Sequence, residues 1–352
     1  MRPGKLPEPP LKRAVLGPLK EGTDNKKKNI GVGCDAGFGI YREEAGNFEE
    51  KEVRIYASDA VCQGTVPADL YFGFHRGANS MFASGGVPRW VTITLLLPED
   101  WQEPDIRGLM SKIKTLCADR KIEILGGQTE TLPGLTDLVI NFHFMGTKYR
   151  GDFPLQTKPE KVKPGDAIVM SGFPAADLAG KWLVEEREIL EKRFCPAFLA
   201  QAEEKVFGGA DFPSIERTAC PAMDFGVKSM HDIGEGGIFG ALRELGEREG
   251  CGLQVDLQKI PIQQEVIELC EVFDRNPYQT KSCGALLMVT PDPEGLMRKL
   301  ADVGISAAEI GRITGDRKMT ICHREEIRYL DHPQMDECFK MMRKDTETGK
   351  RQ

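Results

Sequence analysis

The stretch SMHDIGEGGIFGALREL, Ser229 to Leu245, sets a histidine and an aspartate directly before three glycines and an amphipathic run. An imidazole ordinarily titrates near neutrality, so His231 suits proton transfer or the holding of a developing charge. Asp232 stands where it could orient that imidazole or meet a ligand. Gly234, Gly236 and Gly237 cost backbone entropy that a helix start does not require, since one Ser, Thr, Asp or Asn serves as N-cap. Bare backbone lets successive N–H groups turn towards an anion, and the following helix adds the positive end of its dipole. Two readings stand side by side. One is a phosphate or oxyanion seat served by His231 and Asp232; the other is a plain glycine turn in which Asp232 caps the helix and His231 lies at the surface.

Other residues carry less. Gly31, Gly33, Gly37 and Gly39 alternate with apolar residues in NIGVGCDAGFGIY, a strand-turn-strand pattern in which the backbone runs close to something. His75 falls in a helical pattern, His143 in an apolar strand where a satisfied core histidine is the usual case, and His323 and His332 in a polar tail. The ten cysteines occur singly, without a CxxC pair or a histidine at zinc-finger spacing, which reads as buried free thiols in a reducing compartment.

The elements that must position these groups follow from period and punctuation. At 352 residues, with 40% hydrophobic and 29% charged residues and 38 glycines, the chain has room for two globular domains. A net charge of -7 with no basic stripe argues against nucleic acid; Lys26–Lys28 reads as a solvated turn. No segment nears the roughly 20 apolar residues of a membrane span, and the first residues lack an apolar leader, so a cytoplasmic protein without membrane contact is expected. The pattern predicts a lead-in with one short helix near Leu11 to Leu19 and strands at Val53 to Val61, WVTITLLL, KIEILGGQTE (strand, then glycine turn) and Asp137 to Gly146. Helices are predicted over Asp69 to Gly85 and Asp105 to Arg120.

The second half opens on the strand DAIVMSG. Helices are expected from Ala175 through Cys195, Pro196 to Val206, the quoted run to Arg248, Gln263 to Phe273 and Asp292 to Val303. GLQVDL, CGALLMVT and a last strand AEIGRIT complete it. Strand-helix alternation in both halves argues α/β or α+β architecture. The expected divisions are an arm (1–28), a first domain (29–157), a second domain (158–318) and a tail (319–352).

Eight segments in order, GVGCDAGF, YASDAV, GANSMFASGGVPRW, ILGGQTE, KPGDAIVMSG, MHDIGEGG, CGALLMVT and EIGRIT, resemble the aminoimidazole ribonucleotide (AIR) synthetase superfamily over roughly Gly31 to Thr314. That superfamily includes selenophosphate synthetase, thiamine-monophosphate kinase, formylglycinamidine ribonucleotide synthetase and the hydrogenase maturation dehydratase. The resemblance implies an N-terminal sheet domain that pairs with its twin into a barrel across a homodimer, and a C-terminal α/β domain. It also implies ATP with magnesium, and phosphoryl transfer that activates an amide or carboxyl-type oxygen. It places Asp35 and Asp59 as metal ligands and Gly33, Asn79, Ser80, Gly126, Gly127, Gln128, Gly234, Gly236 and Gly237 around the nucleotide and phosphates. His231 and Asp232 become the catalytic pair.

The chain departs from the family pattern in three places. Cys34, Ser80 and Gln128 stand where carboxylates are usual. Ser80 and Gln128 keep hydrogen-bonding capacity, and Glu130 reads as a solvent-facing turn residue. Cys34 reads equally as a small residue tolerated in a relaxed site and as a functional thiol. The second half resembles the dehydratase branch most, but the last cysteine is Cys338 rather than a C-terminal one, which sets that specific activity aside. Two functions therefore remain. One is an ATP-dependent enzyme acting on an unidentified small or protein-borne substrate; the other is a homodimeric nucleotide- or anion-binding protein that has lost turnover.

Overall fold

The computed structural model describes residues 6–20, 31–44, 50–64, 67–149, 160–208, 212–331 and 335–340. Lys26–Lys28, His332, most of the 1–28 arm, the first residues of the expected second domain and the tail beyond 340 lie outside them. The chain divides into two compact units, Asp35–Tyr149 and a second made of Met1–Cys34 with Arg150–Gln352.

The Asp35–Tyr149 unit is a five-stranded sheet of β1 (Gly37–Glu44), β2 (Glu50–Gln63), β3 (Gly86–Leu97), β4 (Glu123–Thr131) and β5 (Val139–Lys148), in the order β1-β2-β5-β3-β4. All its pairings are antiparallel except β3 with β4. Alternation sorts each strand into two faces. Tyr56, Cys62, Val91, Ile93, Leu95, Phe142 and Phe144 join one core with Phe74 and Met81 of the Pro67–Ala83 helix and Ile113 and Cys117 of the Glu103–Asp119 helix. The opposite face carries Asp59, Asn141 and His143, with Ile55 and Val61 exposed. Gly77 lets the Phe144 ring approach where a Cβ would collide with it.

The expected glycine turn in ILGGQTE is instead continuous strand. Gly126 and Gly127 lie within β4, where a register shift beside Leu125 interrupts the parallel pairing with β3. Gly126 takes a φ of +149°, and a Cβ on Gly127 would run into the Ile93 backbone. Glycine serves a bulge and a close strand approach here, not a reversal.

The second unit holds seven strands: β6 (Ala167–Ser171), β7 (Ser229–Asp232), β8 (Gly252–Asp256), β9 (Leu286–Thr290), β10 (Ala307–Thr314), β11 (Met319–His323) and β12 (Glu326–Tyr329). Their order is β12-β11-β8-β10-β6-β9-β7, and only β11 with β8 runs parallel. Both sheets are thus mainly antiparallel, the α+β form of the expected mixed class. The core packs Ile168, Met170, Leu253, Leu287 and Ile313 against Ile238, Leu242 and Leu245 of the Gly237–Glu249 helix.

Three further expectations change. AEIGRIT is not the last strand, because β11 and β12 extend the sheet into the stretch expected as a tail. The helix expected over 175–195 is two, Ala176–Glu185 and Arg187–Arg193, broken where Glu186 leaves helical geometry. A helix at Glu216–Phe225, with Pro221 inside it, was hidden by that proline. Near the start of the chain, helical residues run from Glu8 to Lys20. Lys12 pairs with Glu247 at 3.5 Å, which fastens this lead-in to the Gly237–Glu249 helix.

His75 is 1% exposed, edge-on to Tyr71 and Phe74 with ring centroids 4.9 and 5.4 Å away. Burial pushes its pKa down to about 3, with the positive charge of Arg120 adding to the effect. Between the ordinary value of 6.5 and about 3, the unfolded chain binds a proton that the folded chain refuses. Stability attributable to His75 therefore falls as pH drops through that window, by at most about 1.4 kcal/mol per unit. Replacement by Phe should flatten this component in urea melts at stepped pH. An unchanged difference between the two proteins from pH 6.5 to 4 would contradict the assignment.

Candidate functional site

The quoted stretch opens not as a helix start but as β7, the edge strand beside β9, where His231 lies opposite Leu287 and Asp232 opposite Leu286. Its base is fixed by charge. Lys228 Nζ meets both carboxylate oxygens of Asp166 at 2.9 Å, with side chains 5% and 6% exposed. Asp166 also accepts from the Lys163 N–H at 2.7 Å, so the KPGD turn before β6 and the lead into β7 share one anchor.

His231 is 2% exposed, which overturns the surface-histidine alternative. Its Nε2 lies 3.2 Å from Glu244 Oε2 on the Gly237–Glu249 helix. A buried imidazole paired with a carboxylate has its ring plane and tautomer set by that partner, the arrangement a general base requires. Asp232 does not cap the helix. The N-cap is Gly236 at φ +88°, without a side-chain cap, and Gly237 follows at φ +64°. Both glycines occupy left-handed backbone, and a Cβ on Gly237 would press against the backbone of Tyr278 and Thr280.

The Gly236 N–H is already used. It donates to Asp336 Oδ2 at 2.7 Å, from a side chain 1% exposed in the 335–340 segment, while Asp336 Oδ1 accepts from Cys338 N–H at 3.0 Å. The seat read as an anion site thus holds an anion from the chain itself. Beside it, Gly236, Phe239 and Arg328 border a cavity of about 110 Å³, too small to take a nucleotide by itself.

Gly33 packs on the other end of the same helix, where a Cβ would collide with the Glu244 carbonyl. Arg248 holds this arrangement. Its guanidinium donates to the carbonyls of Gly33 at 3.1 Å and Met230 at 2.7 Å, to Ser229 Oγ at 2.5 Å and to Glu249 at 3.1 Å. Cys34 closes the Gly31–Cys34 turn through its N–H, at 3.4 Å from the Gly31 carbonyl.

In the Asp35–Tyr149 unit, Asn79 is 1% exposed and neighbours the part-exposed Ser80 on the Pro67–Ala83 helix. The Ala36 N–H donates to Ser84 Oγ at 2.8 Å, which ties the residue after Asp35 to the end of that helix. Asp59 lies on the sheet face away from the helices, opposite His143 in the β2–β5 register. Its Oδ1 sits 2.9 Å from His143 Nδ1 and 3.4 Å from Asn141 Nδ2. The His143 side chain is 39% exposed, so the core-histidine expectation is corrected. Gln128 pairs opposite Thr94, which pairs on its other side with Asn141, so Gln128 shares this face. Its Nε2 donates to Glu130 at 2.9 Å, and both are exposed strand residues.

Residues 163–323 match the model of the AIR synthase related protein, C-terminal domain. That segment is similar throughout to an AIR synthase-related C-terminal domain. The chain is 23% identical over 245 residues to the carbamoyl dehydratase HypE of Rhodobacter capsulatus, covering 68% of this chain and 67% of that protein. Its fold is similar to that in the crystal structure of a HypE–HypF complex, at TM-score 0.68 and 19% identity, covering 92% of this chain and 99% of that one. It is also similar to HypE in complex with ATP, at TM-score 0.61 and 18% identity over 80% of this chain and 86% of that one. The described residues carry the two-domain AIR synthase-like fold. No helix among them is long and apolar enough to cross a membrane.

Four functional candidates escaped the sequence reading. Glu244 and Arg248 stand four residues apart on one helix, and that spacing on a shared face was the available signal. His143 looked like core because its strand neighbours are apolar. Asp336 reaches its partner across 100 positions, a pairing no local pattern announces. An AIR synthase-related protein that holds magnesium does so through oxygen ligands. Here Asp59 supplies one oxygen ligand of the kind magnesium takes, with further positions left to water, while the His143 imidazole beside it is not such a ligand.

The glycines of the loop should differ sharply. Gly237→Ala should lower unfolding stability by about 2 kcal/mol or more, because the residue meets both a left-handed φ and backbone contact. Gly234→Ala, with nothing within 4 Å of an added Cβ, should stay within about 0.5 kcal/mol. Urea titration followed by fluorescence gives both values.

Proposed function

We propose that the chain is an ATP-dependent enzyme that transfers the γ-phosphoryl group to an amide or carboxyl-type oxygen. The observation that carries this reading is the buried His231 imidazole paired with the part-buried Glu244 beside the three-glycine loop. Burying an imidazole costs desolvation that apolar packing would avoid, and a carboxylate partner readies it for proton transfer. The chain's similarity to a carbamoyl dehydratase and to a protein solved with ATP supports the same chemistry.

In this reading the substrate oxygen attacks the γ-phosphorus and ADP departs. For an amide, His231 takes the N–H proton, the freed electron pair adds a C–N bond and the C–O bond breaks with phosphate as leaving group; for a carboxyl oxygen, an attacking nucleophile forms the new bond to carbon as phosphate leaves. Glu244 stabilises the imidazolium that forms. Asp232 lies one residue from His231 and orients the substrate. Gly33, Asn79, Ser80, Gly126, Gly127 and Gln128 are the proposed surroundings of the nucleotide. Asp35 and Asp59 are the carboxylates offered to the divalent ion that travels with it. We further propose a homodimer formed through the first sheet, as the superfamily resemblance implies.

One observation favours a second reading, a nucleotide- or anion-binding protein without turnover: Asp336 occupies a donor that an anionic intermediate would use. Calorimetry with magnesium-ATP and a phosphate-release assay over carbamoyl and carboxylate substrates separate the two. The enzyme reading expects binding and release, with His231→Ala cutting release by about 10²–10⁴-fold while ATP binding persists. Binding with no release from any substrate, or release unaffected by His231→Ala, would favour the second reading.

A further inference from the structure

We propose that a cleft of about 460 Å³ within the Asp35–Tyr149 unit binds a small carboxylic acid with an apolar body. The cleft lies on the helix-covered face of the sheet, opposite the face that carries Asp59. It is lined by Leu138, just before β5, by Ile140 within β5, and by Leu70 of the Pro67–Ala83 helix, which are 1%, 1% and 7% exposed. Leu109 of the Glu103–Asp119 helix and Trp101, just ahead of that helix, complete the apolar wall. The volume falls within the roughly 300–1,000 Å³ of pockets that take small organic ligands. Water in such a lining finds few polar partners, so an apolar group that displaces it gains free energy.

Gly108 supplies an observation that packing leaves unexplained. It stands inside the Glu103–Asp119 helix, where only proline is less favourable than glycine. An added Cβ there would meet nothing within 4 Å, so no neighbour demands the missing side chain. What its absence does is leave bare a stretch of the cleft wall. The other end of the cleft is fixed by backbone pairing, since the Gly64 N–H donates to the Leu138 carbonyl at 3.0 Å.

Charge selects the ligand. Lys112 borders the cleft one helical turn beyond Gly108. Neither its ammonium nor the Trp101 indole N–H has a hydrogen-bond or ion-pair partner among the described residues. The two acids of the first helical turn are already committed: Glu103 pairs with Arg107, and Asp105, at the edge of the cleft, accepts from the Gln102 N–H at 3.0 Å. The uncompensated charge is therefore positive and single, and both free groups are donors. A carboxylate matches them with one charge and two acceptor oxygens, while its apolar body takes the leucine and isoleucine surface. A phosphate ester brings more charge than one lysine offsets, and an amine meets a like charge.

The test titrates the full-length protein with octanoate, and with octylamine and octanol as probes of equal chain length. Calorimetry gives the stoichiometry, and tryptophan emission gives the place. The expected result is one octanoate per chain, with octylamine weaker by about fivefold or more, the scale of one exposed ion pair. Lys112→Gln should weaken octanoate by about the same factor and leave octanol unchanged. Octanoate should shift the emission to the blue, and Trp101→Phe should remove that shift. Gly108→Leu, which fills the bare wall with a better helix former, should abolish octanoate binding while thermal melts show the fold retained or stabilised. No binding of octanoate at millimolar concentration, equal binding of the three probes, or binding indifferent to both Gly108→Leu and Lys112→Gln would each overturn the proposal. None of these readouts involves ATP, so the cleft and the phosphoryl-transfer reading fail separately.

Discussion

The arrangement around His231 depends on the guanidinium of Arg248. Its planar fork meets a glycine turn near the start of the chain, the backbone and hydroxyl at the head of β7, and the adjacent Glu249. Only arginine offers donors in several fixed directions with a charge that no ordinary pH removes. The helix that carries it also carries Glu244 and begins at the two left-handed glycines. Loop, strand and turn are therefore referenced to one rigid body. Lys228 and Asp166 provide a second anchor at the same head of the strand, so two charged contacts fix the backbone just before the imidazole.

A dry histidine and a wet carboxylate divide the chemistry. His231 sits inside its own unit, where the low dielectric strengthens its pairing with Glu244. Asp59 sits on an exposed sheet face beside the His143 imidazole, open to water. Neither group alone implies catalysis. Proton movement gains from exclusion of water, whereas metal and phosphate handling require access to it.

Much of the fold was legible in the sequence because local rules govern it. The apolar stripe of Leu70, Phe74, Ala78 and Met81 marked a helix, and alternation in WVTITLLL marked β3. The ordered motifs led to the superfamily. Failures came where a residue had two uses. Gly126 and Gly127 looked like a turn because glycine usually breaks strands, yet here they permit a bulge and close strand pairing. Pro221 concealed a helix that tertiary packing sustains. In the candidate site, the glycine loop was readable from type and spacing, and Asp59 entered through the resemblance alone. Their partners were not, because Glu244, His143 and Asp336 are selected by three-dimensional register across 13, 84 and 100 positions.

The Asp336 carboxylate in the glycine seat makes this loop a receptor that arrives with its own ligand attached. A tethered group competes at an effective concentration set by the chain, in the millimolar range for short flexible links and higher for one already buried and hydrogen-bonded. Any external anion drawn to the Gly236 N–H must exceed that local concentration or wait for the 335–340 segment to leave. The apparent affinity of the seat is thus lower than its intrinsic affinity by the occupancy of its resident, and a change far along the chain can raise or lower it without touching a residue of the loop.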